Sequence, residues 1–329
     1  MPIYETILGI DTSCDDTSAA CIKGNRVLSN VVLSQVLHSQ YGGVIPELAA
    51  RDHIKNITKI VEKATEGVNF NAMDGIGVTY GPGLVGSLSI GLAFAKALSY
   101  ALGIPFYGVN HIEAHIFSLF IEKGLSIPFI GLVVSGGHTD LILVKEKGNY
   151  ELIGTTLDDA AGEAFDKVSR MLGFPYPGGP VIEKLAQLGD PTAIDFPRAE
   201  VTGYNFSFSG LKTSVLYYLK SKSYPANCNP HDIAASFQEA VVDSLIDKIV
   251  KASQFFEIPR VGVAGGVAAN LRLREKLNKL EIDTYFPGRE FCTDNGVMVA
   301  LCAKFYLEKG SSSSYTLQAD TGASLGIYR

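Results

Sequence analysis

The stretch VNHIEAHIFSLF, residues 109–120, sets His111 and His115 four apart with Glu113 between them. On a helix, residues at that spacing share a face, with Cβ atoms about 5–6 Å apart, which suits two imidazoles on one metal ion. Two histidines leave such a site incomplete, so a third ligand must come from elsewhere. Asp294, in FCTDNGVM, is one candidate, and Asp11, in GIDTSCDDT, is another. An isolated pair at this spacing more often packs in an interface or makes surface hydrogen bonds. Here GVN precedes the pair and reads as a strand end, which puts both histidines at a strand-to-helix corner.

The same residues speak against a zinc protease. The zincin pattern H-E-x-x-H places its Glu directly after the first His, within reach of the activated water. In His111-Ile112-Glu113-Ala114-His115 the acid comes two positions on, about 200° around a helix, and points away from the metal face.

The elements that must position these residues are legible as a repeat. TILGI, the polar turn DTSCDDT, SAACIK, a Gly24-Asn25 turn and RVLSNVVLS form a β-meander with acids and hydroxyls in its first turn. Helical periodicity follows near 46–67, then the strand GIGVTY, a Gly-Pro-Gly turn and an apolar helix over about 84–102. The pattern returns in FIGLVV, the turn SGGHTD, and LILVKEKGNYELIGTT, a strand pair turned at KGN. Helices are expected near 161–172, 180–188, 231–256 and 268–279, with an irregular segment at 190–210 and a third strand-turn, RVGVAGGVAAN. Two similar lobes facing a cleft follow, with a nucleotide gripped by a turn from each lobe and by AGGVAAN. Glycines let backbone amides approach a phosphate, and amides and hydroxyls supply donors. Each Gly-rich turn alone is a weak signal; three in this order, on this repeat, are stronger.

Composition bounds the class. The 329 residues exceed what one core ordinarily serves, and 47% hydrophobic with 19% charged residues describe a packed globular chain. A net charge of −6 without a basic run argues against nucleic acid as the sole partner. The cysteines (Cys14, Cys21, Cys228, Cys292, Cys302) form no CxxC pair and are odd in number, which points to free thiols in a reducing, cytoplasmic compartment. MPIYETILGIDTS does not read as a signal peptide. LVGSLSIGLAFAKALSYALG, interrupted by Lys96 and serines, reads as a buried or interface helix, not a membrane span.

GIDTSCDDTSAA, YGGVIPELAARDH, TYGPGLVGSLSIGLAFAKAL, NHIEAH, VSGGHTDL, DDAAGEAFDKVSRMLGFPYPGGP, FSFSGLKT and AGGVAANLRLR together resemble the TsaD family of tRNA threonylcarbamoyladenosine-synthesis transferases, over about residues 5–326. The archaeal and eukaryotic counterpart of that family belongs to the KEOPS complex, and the family was once labelled O-sialoglycoprotein endopeptidase. YGGVIPELAARDH and the IEA between the histidines look like the bacterial and organellar branch. The resemblance implies an α/β actin/sugar kinase/Hsp70-like (ASKHA) fold of two ribonuclease-H-like lobes around a nucleotide cleft. The expected division is 1–108, completed by about 296–329, for partner binding, and 109–295 for metal and nucleotide. The implied activity moves the threonylcarbamoyl group of threonylcarbamoyl-AMP to the exocyclic amine of the tRNA adenosine 3′ of the anticodon, releasing AMP.

Carried over position by position, His111, His115 and Asp294 look like ligands of one divalent transition metal per chain. Iron(II) is the implied ion, and imidazole with carboxylate also accepts zinc. Val133, Val134, Ser135, Gly136 and Gly137 resemble the phosphate-side loop, Asp166 and Glu183 acids that hold ribose hydroxyls, Gly179 a backbone contact to the nucleoside, and Asn270 a contact near base or ribose. The plainer readings are an exposed helix acid for Asp166, a solvated helix face for Glu183 and a helix N-cap for Asn270. Asp11, in the equivalent first turn, is a catalytic candidate that would orient the attacking amine or a water, against the plainer role of capping its turn. The implied partners are tRNA, threonylcarbamoyl-AMP, a fold-similar non-catalytic TsaB-like subunit and a small TsaE-like ATPase.

Two rival classes share the fold: an ATP-driven chaperone or kinase, and a non-catalytic nucleotide-binding scaffold. The first holds magnesium through oxygen ligands, unlike a histidine pair; the second is expected to lack the metal trio. Finally, Gly83, Ser87, Gly91, Ala95 and Ser99 form a small-residue stripe on an all-apolar helix, which predicts close approach of a partner helix there, beside the helix near 47–64.

Overall fold

The computed structural model describes residues 4–35, 38, 41, 43–122, 124–221 and 229–325. Cys14, Cys21, Cys292 and Cys302 are free thiols; Cys228 lies outside the described residues. The chain divides into two compact units, Met1–Lys123 with Thr293–Arg329, and Gly124–Cys292. The boundaries therefore differ from 108/109 and 295/296, and they move His111, His115 and Asp294 into the first unit. The reason is packing: the helix bearing the histidines lies against the last helix and the strand before it, all in that unit.

In the first unit, strands β1 (Thr6–Asp11), β2 (Asp16–Lys23), β3 (Arg26–Ser34), β4 (Gly75–Gly81) and β5 (Phe106–Asn110) form one sheet in the order β3-β2-β1-β4-β5. β1 runs antiparallel to β2 and parallel to β4. Alternation along β1 sends Leu8 and Ile10 to a core shared with α1 (Pro46–Ala64) and α2 (Val85–Leu102). Gly9 serves the opposite face, where α9 (Gly296–Glu308) lies so close that a Cβ on Gly9 would stand 2.0 Å from the Gly296 carbonyl. This approach sets the start of α9, and so Asp294 just ahead of it, against the end of β1.

The small-residue stripe faces inward, not toward a partner. Ser87, Gly91, Ala95 and Ser99 are buried within their own unit, and Gly91 abuts Thr12. An apolar helix with small residues on one row lets its own sheet and α1 come near, which sequence cannot separate from approach by a foreign helix. The outward face carries Val85, 59% exposed, and Tyr100, 80% exposed, with Ile54 of α1 at 64%. Among the described residues α2 is the helix long and apolar enough to cross a membrane, by length and composition alone.

The second unit repeats the plan. Strands β6 (Phe129–Val134), β7 (Thr139–Glu146), β8 (Asn149–Thr155), β9 (Arg260–Ala264) and β10 (Asp283–Tyr285) are ordered β10-β9-β6-β7-β8. Here β6 takes the place of β1, antiparallel to β7 and parallel to β9. Its core joins the sheet to α4 (Ala161–Met171), α5 (Gly178–Ala186), α6 (Ser209–Lys220), α7 (Pro230–Phe256) and α8 (Leu271–Leu277). The duplicated meander expected from sequence is thus present strand for strand.

Candidate metal centre and nucleotide-binding residues

The metal candidates converge at strand ends. β5 ends at Asn110, whose side chain accepts from the Ile112 and Glu113 amides and so caps α3 (His111–Ser118). Capping fixes the first turn of α3 at the strand's carboxyl end and turns His111 and His115 to one side. One ligand atom from each of His111, His115 and Asp294 lies within 4.8 Å of the others. Nε2 of His111 is 3.5 Å, and Nε2 of His115 3.2 Å, from Asp294 Oδ1. His115 is fully buried and neither ring nitrogen has a hydrogen bond. Such nitrogens are costly to bury unless something binds them, so the donor set of two imidazoles and a carboxylate fits a divalent transition metal.

Asp11, at the end of β1, is fully buried, and its Oδ2 lies 3.5 Å from Nδ1 of His111. Burial raises its pKa above the ordinary carboxylate value, a rise opposed by His111. Burial, with Asp294 nearby, pushes Asp16 up to about 7, and burial also raises the Cys14 thiol. Glu113 points away from the trio as its position predicts: it is buried and accepts from the Tyr306 hydroxyl at 2.6 Å. Glu113 therefore does not stand at these ligands as a protease-type base.

In the second unit, Val133 and Val134 end β6 in full burial, while Gly136 and Gly137 are exposed. Ser135 is pinned: its amide donates to the His138 carbonyl at 2.8 Å, and its own carbonyl accepts from Gly162 at the start of α4 at 3.1 Å. Gly265, at φ 93°, is needed because a Cβ there would meet the Val134 carbonyl at 2.3 Å. The glycine turn after β9 is thereby stacked on the one after β6. Asp166 Oδ1 accepts from the Gly178 amide at 2.6 Å, which ties α4 to the start of α5, where Gly179 sits. Glu183 Oε1 accepts from the Leu271 amide at 2.5 Å. Asn270 caps α8 through the Leu273 amide at 3.0 Å and donates to Gln238 Oε1 at 2.8 Å. The N-cap role for Asn270 is therefore real. Glu183, Gln187, Gln238, Leu271 and Arg272 line a cavity of ≈ 320 Å³, within the size range of small-ligand sites.

Comparison with known proteins decides the family. The family described as "TsaD: tRNA N6-adenosine threonylcarbamoyltransferase" matches residues 26–301. The chain belongs to the TsaD family. It is 51% identical over 323 residues to a tRNA N6-adenosine threonylcarbamoyltransferase of Caldicellulosiruptor saccharolyticus, covering 95% of this chain and 96% of the relative. It is 50% identical over 333 residues to the protein of that name from Clostridium kluyveri, covering 97% and 98%. Membership makes the chain an enzyme, a transferase. Among solved structures, full-length HypF in its phosphate- and nucleotide-bound form matches with a TM-score of 0.62 at 17% identity, covering 94% of this chain and 57% of that one. The Acidaminococcus fermentans (R)-2-hydroxyglutaryl-CoA dehydratase component A matches with a TM-score of 0.56 at 15% identity, covering 92% and 98%. These likenesses show the α/β ASKHA-type fold.

Several residues of this TsaD-family site escaped sequence reasoning. Ser13 touches both Asp11 and Asp294. His53 of α1 donates from Nε2 to the Cys14 carbonyl at 2.9 Å and accepts at Nδ1 from Thr17 at 2.7 Å, while Ser87 donates to the same carbonyl at 3.1 Å. These contacts hold the acidic first turn from two helices. The cluster of hydroxyls in DTSCDDT was the signal for Ser13; nothing local marks His53 or Ser87 as partners of that turn.

Proposed function

We propose that the chain transfers the threonylcarbamoyl group from threonylcarbamoyl-AMP to N6 of the tRNA adenosine 3′ of the anticodon, with AMP as the leaving group. What carries the reading is the trio of His111, His115 and Asp294, three metal-type ligands at strand ends in a member of this family. The donor is a mixed carbamic-phosphoric anhydride, already activated, so no covalent enzyme intermediate is required. The amine attacks the carbamoyl carbon, the bond from that carbon to the phosphate oxygen breaks, the amine loses a proton, and AMP departs with the bonding pair.

A divalent metal on two neutral imidazoles and one carboxylate, iron(II) or zinc, keeps net positive charge and supplies Lewis acidity toward an anionic oxygen. The turn after β6, where Gly136 and Gly137 are exposed, is suited to hold phosphate oxygens through backbone amides. Asp166 and Glu183 are the proposed ribose acids, with Gly179 and Asn270 beside the nucleoside; Glu183 also lines the cavity of this unit. A chain of charge −6 that handles a polyanion needs basic surface from elsewhere, which supports action in a complex with a fold-similar subunit and a small ATPase. The outward face of α2 with Ile54 is the proposed contact for the fold-similar subunit. A cytoplasmic location accords with free thiols and a tRNA substrate.

The test is to incubate the chain and its partners with threonylcarbamoyl-AMP and unmodified tRNA and to analyse nucleosides by mass spectrometry. Threonylcarbamoyladenosine is expected with the wild type and not with His111→Ala or His115→Ala, which also lose bound metal. Full metal occupancy in both variants would overturn the reading.

A further inference from the structure

Resting on the metal reading above, we infer that Asp11 and Ser13 are positioning residues for the metal ligands, Asp11 acting through His111 and Ser13 through Asp294. A neutral imidazole carries its proton on one nitrogen and its lone pair on the other. His111 turns Nε2 toward Asp294 and His115, so as a ligand it must keep the lone pair there and the proton on Nδ1. A proton on a buried Nδ1 needs an acceptor. Asp11 Oδ2 stands 3.5 Å away, the oxygen placed to accept it. The pair has the form of a carboxylate–histidine–metal relay, in which the outer acid fixes both the tautomer and the ring orientation.

Ser13 completes the arrangement. Its amide donates to Asp11 Oδ1 at 3.1 Å, which holds the carboxylate in place. Its hydroxyl lies 3.3 Å from Asp11 Oδ2 and 3.4 Å from Asp294 Oδ2. Oδ1 of Asp294 faces the two histidines, so the hydroxyl meets the carboxylate at its other oxygen and can fix its rotation. All of this comes from one turn, DTS, at the end of β1, against helices α3 and α9. Asp11 is thereby a group acting through His111, not one that must touch the reacting amine.

The alternatives predict different behaviour for one isosteric change. If Asp11 merely caps its turn, Asp11→Asn does the same work, because Asn accepts the Ser13 amide equally well. If Asp11 acts directly on the substrate, Asp11→Asn abolishes transfer without touching the metal. If it orients His111, the substituted amide offers a weaker acceptor and the ligand is loosened.

The experiment measures zinc and cobalt(II) affinity of the full chain by competition with a chromophoric chelator, and records the visible absorption of the cobalt-loaded protein. Asp11→Asn is expected to weaken metal binding by about 10–100-fold, the usual cost of losing an outer partner. The cobalt bands are expected to shift, while the melting temperature of the metal-free chain stays near wild type. Ser13→Ala, which removes only the hydroxyl, should give a smaller loss in the same direction. Wild-type affinity and spectrum in Asp11→Asn would overturn the inference and leave the functional reading standing. Weaker binding with an unshifted spectrum would also overturn it, because loss of charge alone explains that result. A wild-type chain that binds neither metal would bring down the functional reading itself.

Discussion

Gly91 of α2 gives the sharpest test of where the small-residue stripe points. A methyl added at Gly91 would stand 2.4 Å from Thr12 Oγ1 and 3.4 Å from Thr12 Cβ and Cγ2. Thr12 has little room to retreat: it is fully buried and its hydroxyl donates to the Ser87 carbonyl at 2.8 Å. Overpacking of this kind costs about 1–3 kcal/mol, and the disturbed hydrogen bond about 1 kcal/mol more. Against that, alanine is better than glycine inside a helix by about 1 kcal/mol. Gly91→Ala should therefore destabilise the isolated chain by about 1–3 kcal/mol. Gly86→Ala is the control: its new methyl meets only the Ala50 Cβ, at 3.2 Å, a milder approach, so that variant should be clearly less destabilised than Gly91→Ala. Thr12→Ala removes the oxygen in the way. The double variant Thr12→Ala/Gly91→Ala should then be less destabilised than the two single changes summed, with a coupling of about 0.5–3 kcal/mol. Urea denaturation of the isolated chain, followed by circular dichroism, reads all four variants. A Gly91→Ala chain as stable as wild type, with additive energies in the double variant, would refute the inward packing of the stripe and return it to a partner surface.

Ala93→Glu, on the exposed face of α2, should abolish co-elution with the fold-similar subunit in size-exclusion chromatography while leaving the melting temperature within a degree or two; wild-type co-elution would remove this face from the interface. An adenine nucleotide at about 100 times its dissociation constant should stabilise the wild type by about 2.7 kcal/mol. Asp166→Ala should weaken nucleotide binding by about 1.5–3 kcal/mol through lost charge-assisted hydrogen bonds, and equal affinity in calorimetry would show the ribose assignment to be wrong. Asp16 is held at about 7, above its ordinary 3.8, so its contribution to stability is fully present below about 4 and is lost as pH rises toward 7. Asp16→Asn should accordingly stabilise the metal-free chain by roughly 1–3 kcal/mol at pH 8 and by little at pH 4, whereas equal shifts in melting at both pH values would contradict a buried, protonated Asp16.

The sequence by itself determined the elements whose patterns are local. Short apolar runs bounded by turn residues marked β1 to β4 and β6 to β9, GVN marked the end of β5, and the repetition of strand, polar turn, strand, turn, strand carried the duplicated plan without reference to contacts. The four-residue spacing of His111 and His115 determined that both face one side of α3, and the offset of Glu113 determined that it faces another. Motifs that run in order along nearly the whole chain determined the family. Three-residue β10 and helices α6 and α9 were not legible. α9 reads GVMVALCAKFYLE, apolar nearly all round, because it packs against a sheet on one side and α3 on another, and a helix covered on several sides carries no periodic stripe. That same helix decides the site. Asp294 becomes the third ligand because α9 approaches β1 closely enough to require Gly9 and Gly296, and no local pattern announces that approach. Only the tertiary structure put His111 with the first unit, turned the glycine and serine stripe of α2 inward, and set Asp11 behind a histidine rather than among the ligands. In each of these the sequence named the residue type and the chemistry it could do. The partner was decided by packing between segments remote in the chain, and side-chain spacing along one element holds no information about that.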